Sequence, residues 1–198
     1  MKKYILLVTI LAIISGCATS IPSTSSVNDF LLMSTKTNST TEVYVSYISM
    51  ILDGQIKPFK KGKSGSTAYT YSHNMSSSLG NMVNEWSMMK FAKQSPTAVT
   101  TIEIIIFDFW LEQFSPESGG EQFAKAMLGI QSNQQCVAKI KGRVIINHDG
   151  KTEEKIISAT AEEVITYSDA AKAHGRNINS VSNKVLMAVN SFLETNNL

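Results

Sequence analysis

Hydrophobic positions along the chain change period several times, and each change marks an element. In Val43 to Leu52, the residues Val43, Val45, Tyr47 and Ser49 alternate with Tyr44, Ser46, Ile48 and Met50. This period of two, rich in β-branched and aromatic residues, predicts a strand, as does the shorter Phe30 to Met33. Asp53 to Ser66 carries turn residues and four lysines and reads as a loop. Met75, Leu79, Met82, Val83, Trp86 and Met89 then recur at steps of three and four. They form one apolar face of a helix over 74–92, capped by Asn74 and stopped by Ser95-Pro96.

Val99 to Phe114 is apolar on both alternations, the pattern of a strand covered on both faces in the middle of a sheet. Ser115-Pro116 breaks it. Gly119 to Leu128 reads as a short helix that groups Phe123, Met127 and Ile130 and ends at Gly129. From Cys136 to Ile146, Cys136, Ala138, Ile140, Val144 and Ile146 take one face while Lys139, Lys141 and Arg143 take the other, as in a half-buried strand. Asp149-Gly150 suits the positive φ of a tight hairpin turn, and a partner strand follows over Thr152 to Tyr167. Ile178, Val181, Val185, Val189 and Phe192 mark a closing amphipathic helix over 178–194. The order ββαβ(α)ββα predicts an α+β domain of two layers, a mainly antiparallel or mixed sheet with helices packed on one face.

Composition narrows the class. The chain is 43% hydrophobic and 17% charged with two cysteines, which fits one globular domain and excludes a disulfide-stapled miniprotein. Lys+Arg 18 against Asp+Glu 16 gives a formal charge of +2, a mildly basic balance that invites a nucleic-acid reading. The N-terminus removes it. Met1-Lys2-Lys3 is a positive start, Tyr4 to Ile14 carries no charge, and Ser15-Gly16-Cys17 follows. As a helix the Tyr4 to Ile14 run spans about 16 Å, roughly half a bilayer core, so it predicts a secretory signal and not an anchor. The Ile14-Ser15-Gly16-Cys17 stretch resembles a bacterial lipobox. That resemblance implies cleavage before Cys17 and acylation of Cys17 with chains such as palmitate.

The expected organisation is a signal peptide over 1–16, a lipidated flexible tether over 17–28 (ATSIPSTSSVN after the cysteine), and a single periplasmic α+β domain over 29–198. Losing Lys2 and Lys3 with the signal leaves 16 basic residues against 16 acidic ones, so the basic balance disappears and no nucleic-acid partner is expected. Several acyl chains hold where one is marginal, each buried CH₂ contributing about 0.8 kcal/mol. Ala18, where inner-membrane retention would show Asp, points by resemblance to the periplasmic face of the outer membrane.

Candidate chemistry is sparse. His73, His148 and His174 have no second ligand at metal spacing and are read beside a helix start, in a hairpin turn and in a polar loop, so no metal is expected. Cys136 falls on an apolar strand face and is expected to be a buried, inert thiol. Glu153-Glu154 and Glu162-Glu163 are strand neighbours and point to opposite faces. Glu103 and Asp108 interrupt the apolar strand, and Asp108, between Phe107 and Phe109, must be paired, near a strand end, or functional. Lys57, Lys60, Lys61 and Lys63 form the one basic cluster, a soluble loop or a contact for anionic lipid or an acidic partner. Met75, Met82, Met88 and Met89 around Trp86 are core, with Met88 off the stripe leaving room for an adaptable groove.

The lipobox, the long helix, the apolar TTIEIIIFDFW strand, the Asp-Gly hairpin and the terminal helix together resemble the small periplasmic α/β lipoproteins over residues 75–195. These include the YajG-type lipoproteins and the auxiliary lipoproteins of lipid-transport ABC systems. GGEQFAKAMLGI before the Cys136 strand is similar to the G…LG pattern of a widespread lipoprotein domain. The resemblance implies a non-enzymatic fold without cofactors, anchored through Cys17 and serving an envelope protein partner in transport or assembly. The alternative expectation is a carrier or sensor for lipid or a small apolar ligand.

Overall fold

A computed structural model describes residues 42–51, 67–69, 73–91, 93–166 and 169–198. The elements are β1 (Val43–Ser49), β2 (Thr67–Tyr69), α1 (His73–Lys90), β3 (Thr100–Phe114), α2 (Gly119–Met127), β4 (Asn133–His148), β5 (Lys151–Thr166) and α3 (Ala170–Thr195). The strand expected at Phe30 to Met33 and the Asp53 to Ser66 loop lie outside the described residues. The sheet is mixed, in the order β1-β3-β4-β5, with β2 paired to the end of β3. β1 runs parallel to β3 through the α1 crossover, while β3, β4 and β5 form an antiparallel meander. This is the expected α+β architecture. β2 is an addition to it, three residues paired against Leu111 to Gln113 and too short to show a period.

The alternation read in β1 is present in space: Val43 is buried, Val45 and Tyr47 pack on the core, and Tyr44, Ile48 and Met50 are exposed. β3 explains its double alternation by a bulge. Ile102, Ile104 and Ile106 face the helices, the register shifts between Ile106 and Asp108, and Phe109 and Leu111 then face the same way. One inserted residue moves the apolar set from even to odd positions without changing the face it buries. Ile105 and Phe114 are buried as well. Gly142 of β4 stands opposite Ile106 at the bulge.

α1 and α3 cover the inner face. Leu79, Met82, Val83 and Trp86 meet Val181, Val185, Leu186 and Val189 above Ile102, Ile140, Val144 and Ile157 in one cluster. α1 begins at His73, one residue before the expected cap Asn74, and ends at Lys90. Met89, read as core, is 46% exposed, while Lys90 is buried. The Lys90 amine donates to Asn190 Oδ1 of α3 at 2.8 Å, and Asn190 in turn donates to Glu194 at 2.7 Å. Burial holds the Lys90 amine below its ordinary value, with Glu194 opposing. The lysine thereby ties two helices that an apolar residue could only pack.

α3 starts eight residues before the expected 178, and this corrects the placing of His174 in a polar loop: it is buried in the helix. Lys172, Arg176 and Asn177 hid that first stretch, since the apolar stripe is clear only from Ile178 onward. Asn177 donates to the Cys136 carbonyl at 3.0 Å and Arg176 grips Glu163 with two bonds, at 3.0 and 2.5 Å. Burial lowers the affinity of His174 for a proton. The unfolded chain protonates near pH 6.5 while the folded one resists, so stability falls as pH drops below that value. We expect the urea midpoint to decline between about pH 7.5 and 5.5, and less steeply in His174→Leu; equal slopes would refute the assignment.

The hairpin turn is as read, with Asp149 at φ 49° and Gly150 at φ 73°. Among the described residues no helix is long and apolar enough to cross a membrane.

Candidate partner-binding surface

α2 is built entirely from local chemistry. Ser118 and Glu121 form a capping box: the Ser118 hydroxyl accepts from the Glu121 N–H at 3.3 Å, and the Ser118 N–H donates to Glu121 Oε2 at 2.7 Å. At the other end Gly129 takes φ 68°, Gly129 N–H bonds the Ala126 carbonyl at 3.1 Å and Ile130 N–H bonds the Lys125 carbonyl at 2.8 Å, a Schellman closure. Glu117 clamps the unit. Its carboxylate accepts from Lys125 at 2.5 Å and from the Asn133 N–H at 3.0 Å, which joins the helix to the start of β4. The Lys125 bond, the Asn133 amide and the ammonium charge hold the Glu117 carboxyl below its usual range, and the Ser118 bonds do the same for Glu121.

A helix of nine residues is marginal alone, so it needs these caps and this clamp. It needs them more because none of its residues is buried. Phe123 is 69% exposed, Met127 and Leu128 74% each, and Ile130 53%. Phe123 and Met127 stand one turn apart on the helix, and Leu128 and Ile130 continue the patch past its end. The helix is held in shape without tertiary packing, with four large apolar side chains in solvent. Covering each would contribute about 1.5–3 kcal/mol. The grouping of Phe123, Met127 and Ile130 was legible in the sequence. Leu128, read inside the helix but outside that group, is its C-cap and joins the patch.

The remaining candidates are placed as follows. Cys17, Lys57, Lys60, Lys61 and Lys63 lie outside the described residues. Cys136 is fully buried beside Ile165 and Ala173, and burial pushes its thiol up to about 11, as expected of an inert cysteine. Asp108 follows the bulge, half-buried and opposite Lys141 in the β3–β4 register, while Glu103 lies opposite Ile145. Glu154 pairs with Arg143 at 3.5 Å. Met82 is core and Met88 is 66% exposed. His148 ends β4, sharing a 2.8 Å bond between Nδ1 and the Thr100 hydroxyl, and borders a polar groove of about 390 Å³ with Lys151 and Glu153. Among the described residues no cluster of three metal-ligating side chains occurs.

No family model matches the chain, and no curated protein matches it. Several solved structures are similar to it, two of them as follows. One is a Xanthomonas campestris protein of the DUF330 family, 11% identical, covering 84% of this chain and 89% of its own, with a TM-score of 0.45. The other is an uncharacterized protein, also 11% identical, covering 84% of this chain and 99% of its own, with a TM-score of 0.39. Neither likeness carries a function, a partner or a residue role to this chain.

Proposed function

We propose that this chain is a lipoprotein anchored through Cys17 on the periplasmic face of the outer membrane, a non-enzymatic accessory that binds an envelope protein in transport or assembly. The observation that carries the partner-binding part is α2, capped at both ends and clamped by Glu117 while Phe123, Met127, Leu128 and Ile130 stay in solvent. Monomeric proteins seldom keep so many large apolar side chains together in water without using them. The fit is to an apolar groove on another protein, since Glu121 and Lys125 are engaged within the unit and present no excess of positive charge to lipid. The lipobox-like Ile14-Ser15-Gly16-Cys17 supports the anchor, which would keep the domain within tether reach of a membrane partner.

One labelling and capture experiment tests both parts. In cells fed a clickable palmitate analogue, the full chain should incorporate label and sediment with outer membranes, and Cys17→Ala should lose both. With Cys17 intact, Phe123→Ser together with Met127→Ser should abolish cross-linking to a discrete envelope protein while leaving the melting temperature within about 2 °C, because both side chains are exposed. Unlabelled wild type would sink the anchor. Cross-linking that is unchanged in the serine variant would sink the role of α2.

A further inference from the structure

A second surface lies at the far side of the sheet. β5 ends the strand order, and all 16 of its residues pair with β4 on one side. Among the described residues no strand pairs with its other side. A long unpaired edge is a template for another strand. Two apolar side chains, Ile156 and Val164, stand 55% and 62% exposed on its outer face. Lys184 of α3 donates to the Thr160 carbonyl at 2.7 Å, so that carbonyl turns away from β4. By the period of two, the backbone groups of Ile156, Ser158, Glu162 and Val164 turn the same way.

We propose that this edge pairs antiparallel with the same edge of a second copy of the chain, about a two-fold axis at Thr160. Symmetry and the pleat require the axis to pass through a residue, because facing residues must share a sheet face. An axis at Thr160 sets Ile156 against Val164 of the second copy twice, and Ser158 against Glu162 twice, with no like charges facing. An axis at Ser158 would oppose Glu154 and Glu162. An axis at Ala159 would leave Ile156 against Glu162, and the Glu163 it offers to Lys155 is already held by Arg176. Only the Thr160 register sets the two exposed apolar side chains against each other. Lys184 guards the edge in the single copy and gives up one bond when the strands join. Two paired strands make a small interface, so the dissociation constant is on the order of 10 μM.

The test uses the full chain in detergent, with Thr160→Cys and, as a control at the hairpin end, Lys151→Cys. Facing residues across a hydrogen-bonded antiparallel pair have Cα atoms about 5.5 Å apart, within disulfide range. Mild oxidation should convert T160C to a covalent dimer at least about tenfold faster than K151C, and adding Ile156→Lys and Val164→Lys should remove that advantage. Lys184→Ala should raise the dimer fraction in sedimentation of the otherwise native chain. These positions are exposed, so folding is not at stake. A chain that stays monomeric to about 100 μM, equal rates for T160C and K151C, or T160C trapping a different envelope protein in preference to itself would each overturn the pairing.

Discussion

Alanine at position 142 is expected to destabilise the fold by about 2–4 kcal/mol, roughly 5–12 °C in melting temperature, although it adds only one methyl group. A Cβ at Gly142 would run into the Ile105 carbonyl oxygen and come within 2.7 Å of Ile106 Cδ1. The isoleucine side chain could shift. The carbonyl cannot, because Ile105 pairs with Arg143 on one side and with Ile48 on the other. The strain therefore falls on the bulge that keeps Ile106 and Phe109 on the same face. Urea denaturation measures the loss, and shortening Ile106 to valine should not restore it. A G142A midpoint equal to wild type would mean that β3 and β4 do not approach so closely there.

Truncating Trp86 to alanine should cost about 3–5 kcal/mol, whereas Trp86→Phe should cost only about 1–2 kcal/mol. Trp86 is fully buried near the C-terminal end of α1 and meets Phe91 edge-on, ring centroids 6.0 Å apart and planes at 83°. Alanine leaves a cavity that two helices and a sheet cannot collapse to fill. Phenylalanine keeps most of the volume and removes an indole N–H that has no acceptor among the described residues, so part of the lost packing is offset. Chemical denaturation of both variants separates the terms. Equal losses would show that volume is not what Trp86 supplies.

Those two residues illustrate what was readable. Trp86 lies on a stripe with Leu79, Met82 and Val83, and the stripe alone predicted its burial. The role of Gly142 was invisible, because its neighbours are the backbone of β3, more than 30 positions earlier in the chain. The same holds for β3 itself: apolar residues on both alternations were read as two covered faces, and a bulge accounts for much of the pattern. Met89 and Lys90 exchanged their expected places for a related reason. Hydrophobicity favours methionine inside, but a partner 100 residues away, Asn190, makes the lysine acceptable there. His174 was misplaced because polar neighbours mask a helix whose inward face contains histidine and asparagine.

The α2 surface divides in the same way. Ser118, Glu121 and Gly129 specify the helix within a dozen residues, and the grouping of its apolar side chains follows from the helical period. That nothing in the described fold covers them is a property of the assembled sheet, where α1 and α3 occupy the inner face and leave α2 beyond the strand ends.

The sequence by itself determined the types of the longer elements, the Asp149-Gly150 turn, the Gly129 end of α2 and the lipobox-like start, since each depends on chemistry within one or two turns of chain. Only the tertiary structure decided the parallel pairing of β1 with β3, the bulge facing Gly142, the burial of Lys90 and His174, and the exposure of Phe123 and of the β5 edge. Those depend on which distant backbone or side chain arrives at each position, and period and propensity carry no record of that.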